Sequence, residues 1–122
     1  MEIINTPKAP AAIGPYSQGI KTGNLIFFSG QIALTPEGDF LDGSVAEQAT
    51  QVFANIDALL AEAGVDKTNI VKALVFLDDL ENFAEFNELY AAWLGYHKPA
   101  RSCVQAKLPK NALLEVEVIC EV

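Results

Sequence analysis

The sequence predicts an α+β fold in which two helices cover one face of a mixed sheet. Short runs of β-forming residues, separated by turns that contain Gly and Pro, fill its first quarter. Two later stretches repeat apolar residues at helical spacing, an apolar β-branched run lies between them, and an alternating pattern ends the chain. The resulting order is three strands, a helix, a strand, a helix and two strands, which is typical of an α+β domain.

The early β-type runs are clearest at residues 19–21 and 25–29. The dipeptide Gly23-Asn24 between them is typical of a hairpin turn. A second turn cluster at residues 35–39 (TPEGD) follows the apolar run 31–34. We therefore expect short strands joined by tight turns before the first helix.

The first helix is predicted over residues 44–63. Ser44 and Glu47 have the spacing of a capping box, in which each side chain accepts a free backbone N–H at the helix start. Gly64 is a typical residue just beyond a helix C-terminus. A second helix should end near Gly95, with an apolar inner face made of Phe83, Phe86, Tyr90, Trp93 and Leu94.

The remaining segments predict three strands. Residues 70–77 are nearly all apolar and indicate a buried strand, and residues 101–107 and 114–122 are expected to pair as the closing strands. In the last strand alternate residues share a face: Val116, Val118, Cys120 and Val122 on one, Glu115, Glu117, Ile119 and Glu121 on the other. Helices on one face leave the other uncovered, so we expect a homo-oligomer that buries Phe27 and Ile119.

Composition narrows the class of protein. The chain has 122 residues, 8 basic and 16 acidic side chains, and a net charge of −8. Its length predicts one domain, residues 1–122. The acidic balance argues against nucleic-acid binding and against docking on an anionic membrane. Without a leader-like start or a membrane-spanning apolar run, we expect a cytoplasmic protein. Two separated cysteines and one histidine predict no metal site.

Arg101 and Asn87 are the first candidate functional residues. Arg101 is the only arginine, and its planar guanidinium can bind a carboxylate through two hydrogen bonds. The alternative is an ordinary ion pair with Glu115 or Glu117 on a neighbouring strand. Asn87 lies on the apolar stripe of the second helix, where an unpaired amide costs about 1–3 kcal/mol. It should therefore bond to backbone, to another subunit or to a ligand.

Five more residues are weaker candidates. Glu115 or Glu117 could accept a proton from an attacking water, although a solvated surface position is the alternative. Tyr16 follows a constrained Gly-Pro turn that could present its ring to a pocket, or the ring could simply be packed. Ser29-Gly30 ends an apolar strand, where glycine allows close approach to a ligand or forms a simple bulge.

The side chains of Cys103 and His97 are not expected to take a direct part in the chemistry of the site. Cys103 should share a strand face with Arg101, whose charge favours a thiolate, but an inert buried thiol is the better expectation. His97 follows the second helix and has no evident partner to orient it as a base. We expect it to be a loop residue.

Six segments of the sequence combine into one recognisable pattern. They are 11–19 (AAIGPYSQG), 28–32 (FSGQI), 75–77 (VFL) with 79–80 (DL), 83–87 (FAEFN), 99–104 (PARSCV), and 108–110 (LPK) followed by 115–117 (EVE). Together, and in this order, they resemble the Rid (YjgF) family of reactive-intermediate deaminases, and most closely its RidA-type subgroup. The resemblance covers essentially the whole chain. Two segments, 93–99 and 103–108, look about three residues and one residue shorter than is usual in that family.

The resemblance implies a chorismate-mutase-like fold assembled as a homotrimer, with ligand clefts between subunits. It also implies hydrolysis of 2-imino acids, such as 2-iminopropanoate and 2-iminobutanoate, to 2-keto acids and ammonia. By motif, Arg101 would bind the substrate carboxylate, while Glu115 and the backbone carbonyl of Cys103 would position water. The pocket would be lined by Tyr16, Ser29, the Gly30 backbone and Asn87.

An imine carbon is already electrophilic, so this reaction needs no metal or cofactor and depends mainly on positioning. Two alternatives remain at this point. One is a non-catalytic module that binds small acids to regulate a partner. The other is the ribonuclease or translation-inhibitor activity linked to members of the family, which the net charge of −8 disfavours.

Overall fold

A computed structural model describes all 122 residues and contains one six-stranded mixed sheet with two α-helices. The strands are β1 (Glu2–Ile4), β2 (Gly19–Thr22), β3 (Leu25–Phe28), β4 (Ile70–Leu77), β5 (Ala100–Gln105) and β6 (Leu114–Glu121), and the helices are α1 (Val45–Glu62) and α2 (Phe83–Leu94). Their order across the sheet is β1-β2-β3-β6-β4-β5. Only β4 and β5 run parallel. The predicted α+β fold with a mixed sheet is therefore confirmed.

The expected pairing of the last two strands is wrong. β5 pairs with β4, and β4 lies between β5 and β6. The physical reason is the helix between the strands: α2 carries the chain back along the sheet, so β5 enters parallel to β4 as in a βαβ unit. β6 instead occupies the centre, which agrees with complete burial of its residues Val116 and Cys120.

The N-terminal part also differs in detail. β2 and β3 form the predicted hairpin around Gly23-Asn24, and their partner on the outer side is Glu2–Ile4, which sequence patterns did not indicate. Residues 31–34 contribute only isolated bridges, from Gln31 to Val116 and from Leu34 to Phe40. Regular strand structure therefore ends at Phe28, although Gln31 still pairs with β6 through backbone hydrogen bonds to Val116.

The first helix follows its predicted capping. The Ser44 hydroxyl accepts a hydrogen bond from the Glu47 N–H, and the Glu47 carboxylate accepts one from the Ser44 N–H, both at 3.1 Å. Beyond the helix, Gly64 adopts a φ of 75°, which an L side chain rarely tolerates, and the Val65 N–H closes the turn on the Leu60 carbonyl. The predicted helix over residues 44–63 is confirmed.

The core lies between the helices and one face of the sheet. That face presents alternate residues of the central strands, among them Ala73 and Val75 of β4 and Val116 and Val118 of β6, against the apolar sides of α1 and α2. The opposite face has no covering layer in the chain. Its apolar side chains include Ile20, Phe27, Leu74, Phe76 and Ile119, of which Phe27 is 43% exposed. Neither helix is long and apolar enough to cross a membrane.

Candidate functional site

The structure divides the predicted site residues into two groups, which lie on opposite faces of the sheet. Arg101 is opposite Ala73 in the register of β5 with β4, and Ala73 faces the helices. Glu115 is opposite Phe76 in the register of β6 with β4, and Phe76 lies on the uncovered face. Since successive strand residues point to opposite faces, Arg101 faces α2 and Glu115 faces away from it.

The first group surrounds the Arg101 guanidinium. Its Nη1 donates a 2.6 Å hydrogen bond to Oδ1 of Asn87. Its Cζ lies over the rings of Tyr90 and Phe83, at 5.1 and 5.5 Å from their centroids. These distances are within the range of cation–π contacts. The three partners all belong to α2 and stand at spacings of four and three residues, which places them on one side of the helix.

Asn87 thus has a partner that explains its place on the apolar stripe. It is half-buried, and its amide oxygen is satisfied by the guanidinium rather than by backbone. The sequence predicts Phe83 and Tyr90 only as residues of the inner face of the helix. The signal that could have identified them is their spacing from Asn87, because an aromatic residue at i−4 and another at i+3 flank whatever the amide binds.

The Tyr90 hydroxyl is buried and has no hydrogen-bond partner. Burial raises the pKa of Tyr90, and the nearby Arg101 charge partly opposes that shift. Tyr90 and Arg101 also line a cavity of about 360 Å³ together with residues from the end of α2 and the following loop, including Lys98. In that loop a ring nitrogen of His97 lies 2.6 Å from the Ile70 carbonyl oxygen, so this histidine anchors the loop to β4.

Cys103 lies on the same sheet face as Arg101, as expected from their spacing. Burial raises the pKa of its thiol, and the Arg101 charge opposes this only in part. Burial likewise raises the pKa of Cys120 to about 11. Both sulfurs are therefore held as thiols at neutral pH, which does not favour a nucleophilic role for Cys103.

The second group lies around Glu115. A cavity of about 600 Å³ opens beside it, with walls from the N-terminal segment, the irregular stretch after β3 and the turn before β6. The predicted residues that line it are Tyr16, Ser29, Gly30, Glu115 and Glu117. Lys110 is the only cation in its wall. The structure therefore brings together predicted residues from three separate segments. It also adds Lys110, which the sequence did not indicate as a site residue.

Hydrogen bonds between side chains and backbone fix the walls of this cavity. The Ser29 hydroxyl donates a 2.5 Å hydrogen bond to the Ser17 carbonyl, which joins the end of β3 to the segment that carries Tyr16. The buried Gln18 side chain donates to the Pro10 carbonyl at 2.8 Å and accepts from the Thr6 N–H at 2.6 Å. The segment before β2 is thereby held against the sheet although it has no regular structure.

Gly30 makes room for the Glu115 carboxylate. A Cβ atom at position 30 would overlap Oε2 of Glu115 and would lie only 3.0 Å from its Cδ. Any side chain there would have to displace the carboxylate. Glycine is therefore required at position 30 for Glu115 to keep its observed place beside the cavity.

The Glu115 carboxyl has a raised pKa. Burial is the larger cause, and the negative charge of Glu117, two residues along the same strand face, adds to it. A carboxylate whose pKa is moved toward neutrality is better suited to accept a proton from water and to return it.

The ion pair considered between Arg101 and Glu115 or Glu117 does not form. β5 does not neighbour β6, and the side chains point to opposite faces. The structure also contains no group of three or more His, Cys, Asp or Glu side chains that could hold a metal ion. The first group therefore offers the fixed cation of Arg101 on one face of the sheet, and the second offers the carboxyl of Glu115, with its raised pKa, on the other face.

The chain is similar to known proteins over almost its whole length. The family model described as Endoribonuclease L-PSP matches residues 6–122. Reactive Intermediate Deaminase A, chloroplastic, from Arabidopsis thaliana is 47% identical over 120 residues, which cover 97% of this chain and 64% of that protein.

Solved structures agree with this. The crystal structure of RidA from an Antarctic Psychrobacter species has a TM-score of 0.95 and 43% identity, with complete coverage of both chains. Escherichia coli TdcF, solved with bound serine, has a TM-score of 0.94 and 41% identity, and the match covers 100% of this chain and 99% of that one. The chorismate-mutase-like fold that the sequence resemblance implied is the fold observed.

Proposed function

Since the chain belongs to the Rid family, also called YjgF or L-PSP, we propose that it is a deaminase that hydrolyses 2-imino acids to 2-keto acids and ammonia. The observation that carries this proposal is the Glu115 cavity: a half-buried carboxyl with a raised pKa stands beside a space of about 600 Å³. The similarity to a reactive-intermediate deaminase across almost the whole chain supports the same reaction.

In the proposed mechanism Arg101 binds the substrate carboxylate and Glu115 positions the attacking water. Glu115 accepts a proton as the water oxygen bonds to the carbon of the protonated imine, whose C=N π electrons move to the nitrogen, and a tetrahedral carbinolamine results. Glu115 then returns this proton to the nitrogen. The carbon–nitrogen bond breaks to release ammonia, and the hydroxyl group gives its proton to Glu115 as the carbonyl of the 2-keto acid forms. Tyr16, Ser29, the Gly30 backbone and Asn87 shape the pocket, and the backbone carbonyl of Cys103 helps to hold the water.

The reaction requires no cofactor in this proposal, because the imine carbon is electrophilic and positioning supplies most of the rate. The net charge of −8 repels an anionic substrate at long range, so binding depends on a local cation. Arg101 is the only guanidinium in the chain, and it is already held by Asn87. We expect 2-iminopropanoate and 2-iminobutanoate to be substrates.

We further propose that the active unit is a homotrimer in which clefts between subunits combine the two groups. The support is geometric: one chain keeps Arg101 and Glu115 on opposite sheet faces, and the uncovered face carries apolar side chains such as Phe27 and Ile119. Burying such a face against a second copy is a common way to protect it from water. Sedimentation that showed a folded, active monomer would contradict shared clefts.

The decisive experiment generates 2-iminopropanoate with a serine dehydratase and follows its loss. We expect the wild-type protein to accelerate hydrolysis well beyond the spontaneous rate. Arg101→Ala should lose about 100-fold in kcat/KM, since a charge-assisted bidentate pair is removed. Lys21→Ala, which removes a positive charge from β2, is the matched control. A wild-type rate equal to the spontaneous one, or a fully active Arg101→Ala protein, would disprove the proposal.

A second candidate function is a non-catalytic module that binds small amino or keto acids. The bound serine in the structure of E. coli TdcF favours this alternative. Measurable affinity for serine or 2-oxobutanoate without any imine turnover would select it. Nuclease activity is disfavoured by the net charge of −8. RNA cleavage by the purified protein, lost on mutation of a defined residue, would reverse that judgement.

A further inference from the structure

The Arg101 guanidinium contacts more groups of the protein than it needs in order to bind a carboxylate. It has five N–H donors, and the structure shows one side-chain hydrogen bond, from Nη1 to Asn87. The ring centroids of Phe83 and Tyr90 lie 5.5 and 5.1 Å from its Cζ. The remaining donors are free to meet a ligand, and Arg101 lines a cavity of about 360 Å³.

The two aromatic walls differ in how firmly they are held. The Tyr90 ring lies 5.7 Å from Phe86 and 6.2 Å from Trp93, and Trp93 stacks on Phe53 of α1 at 4.4 Å. Trp93 is fixed in turn by a 3.0 Å hydrogen bond from its indole N–H to Asp57. Tyr90 is therefore continuous with the core, whereas Phe83 is 37% exposed and forms the outer wall.

We propose that Phe83 and Tyr90 are positioning residues for carboxylate binding by Arg101. They hold the guanidinium in one orientation, so that its remaining N–H donors meet the ligand carboxylate. An arginine side chain in open solvent loses rotamer freedom when a ligand fixes it. The aromatic walls and Asn87 impose most of that order before the ligand arrives. Binding then costs less, which is the effect of preorganisation.

Phe83 is the wall that can be tested without risk to the core. Phe83 is 37% exposed and is not part of the buried core, so replacement by leucine, which keeps an apolar side chain, should leave the fold intact. What leucine removes is the ring face toward the guanidinium. An exposed cation–π contact is worth about 0.5–1 kcal/mol, which corresponds to a loss of roughly two- to fivefold in affinity.

The inference rests on the proposed function in that Arg101 is taken to bind a carboxylate. The experiment therefore measures both 2-iminopropanoate hydrolysis and calorimetric binding of 2-oxobutanoate, for wild type, Phe83→Leu and Phe83→Tyr. Phe83→Leu should raise KM and the Kd of 2-oxobutanoate about two- to fivefold with little change in thermal stability. Phe83→Tyr keeps an aromatic ring at this position and should therefore have the wild-type KM and Kd. The control Tyr96→Leu removes a fully exposed ring just beyond α2 and should change neither.

The outcomes separate the two proposals. If Phe83→Leu keeps the wild-type KM and Kd while the wild type hydrolyses imine, the positioning role is wrong and the deaminase proposal stands. If the wild type binds 2-oxobutanoate without hydrolysing imine, and Phe83→Leu weakens that binding, the positioning role stands and the deaminase proposal fails. A wild type that neither hydrolyses imine nor binds 2-oxobutanoate overturns both.

Discussion

Arg101 and Glu115 lie on opposite faces of one sheet, on either side of the strand β4. Arg101 is held against α2 by Asn87 and two aromatic rings, whereas Glu115 stands beside the cavity on the uncovered face. Neither side chain can cross the sheet. A reaction that uses both residues at one substrate therefore needs two chains.

The first prediction concerns the pH dependence of the deaminase rate. Glu115 must be ionised to accept a proton from water, so the rate should rise with pH through its pKa. Because Glu117 contributes to the raised pKa of Glu115, Glu117→Gln should move this rise to lower pH. From other elements, Tyr16 and Lys110 also line the cavity. The measurement is kcat/KM against pH from 4 to 8.

Glu121→Gln is the matched control for this prediction. Glu121 lies on the same face of β6 but bonds to Asn24, away from the cavity. Removal of its charge should leave the pH profile in place. A Glu117→Gln profile that coincides with the wild-type profile would contradict the assigned coupling.

The second prediction concerns stability. The folded-state pKa of Glu115 is raised, so the folded state holds this proton more tightly than the unfolded chain does. The associated stability is present below the unfolded-state pKa and falls as pH rises through the folded-state pKa. At neutral pH the ionised carboxylate is therefore destabilising. Glu115→Gln should raise the urea midpoint at pH 7 but not at pH 3. A lower midpoint at pH 7 would refute this.

The third prediction tests the contact between Gly30 and Glu115. Gly30→Ala should destabilise the protein by about 1 kcal/mol, the lower end of the cost of overpacking, because the methyl group overlaps a carboxylate that can move toward the cavity. In a Glu115→Ala background the same change should cost much less, since the overlapping atoms are gone. Urea unfolding of the four proteins in this double-mutant cycle measures the coupling. Equal costs in both backgrounds would show that position 30 does not act through Glu115.

The fourth prediction concerns the Tyr90 hydroxyl. It is buried without a partner, so its removal should be neutral or stabilising by about 1 kcal/mol. Tyr90→Phe keeps the ring beside Arg101, whereas Tyr90→Leu loses its contacts with Phe86 and Trp93 and should be destabilised. Chemical unfolding checks both changes. Tyr96→Phe, at a fully exposed position, is the control and should have no effect.

Much of the fold could be predicted from local patterns. The capping box and Gly64 bounded α1, and the β-branched run gave β4 with its observed limits, because these signals act between neighbours in sequence. The partner of β5 could not be predicted in this way. Alternation indicates which side chains share a face but not which strand lies beside them, and that depended on the path of α2.

The candidate site shows the same division. Asn87 stood out because a lone amide on an apolar stripe needs a partner, and Arg101 is that partner. Phe83 and Tyr90 did not stand out, since an aromatic residue on a helix stripe is equally expected in a core. Only the position of the guanidinium distinguishes the two uses of such a ring.

The last prediction tests whether two chains share one site. Arg101→Ala and Glu115→Gln should each be nearly inactive alone, because each lacks one half of every site. When the two proteins are unfolded together and refolded in equal amounts, a site that takes Arg101 from one chain and Glu115 from its neighbour is intact in about one quarter of cases. Imine hydrolysis should therefore recover to about a quarter of the wild-type rate, whereas unmixed controls stay inactive. Failure to recover activity in verified mixed oligomers would show that the two residues do not act together across a subunit interface. Sites confined to single chains cannot complement, because every chain in the mixture carries a defect.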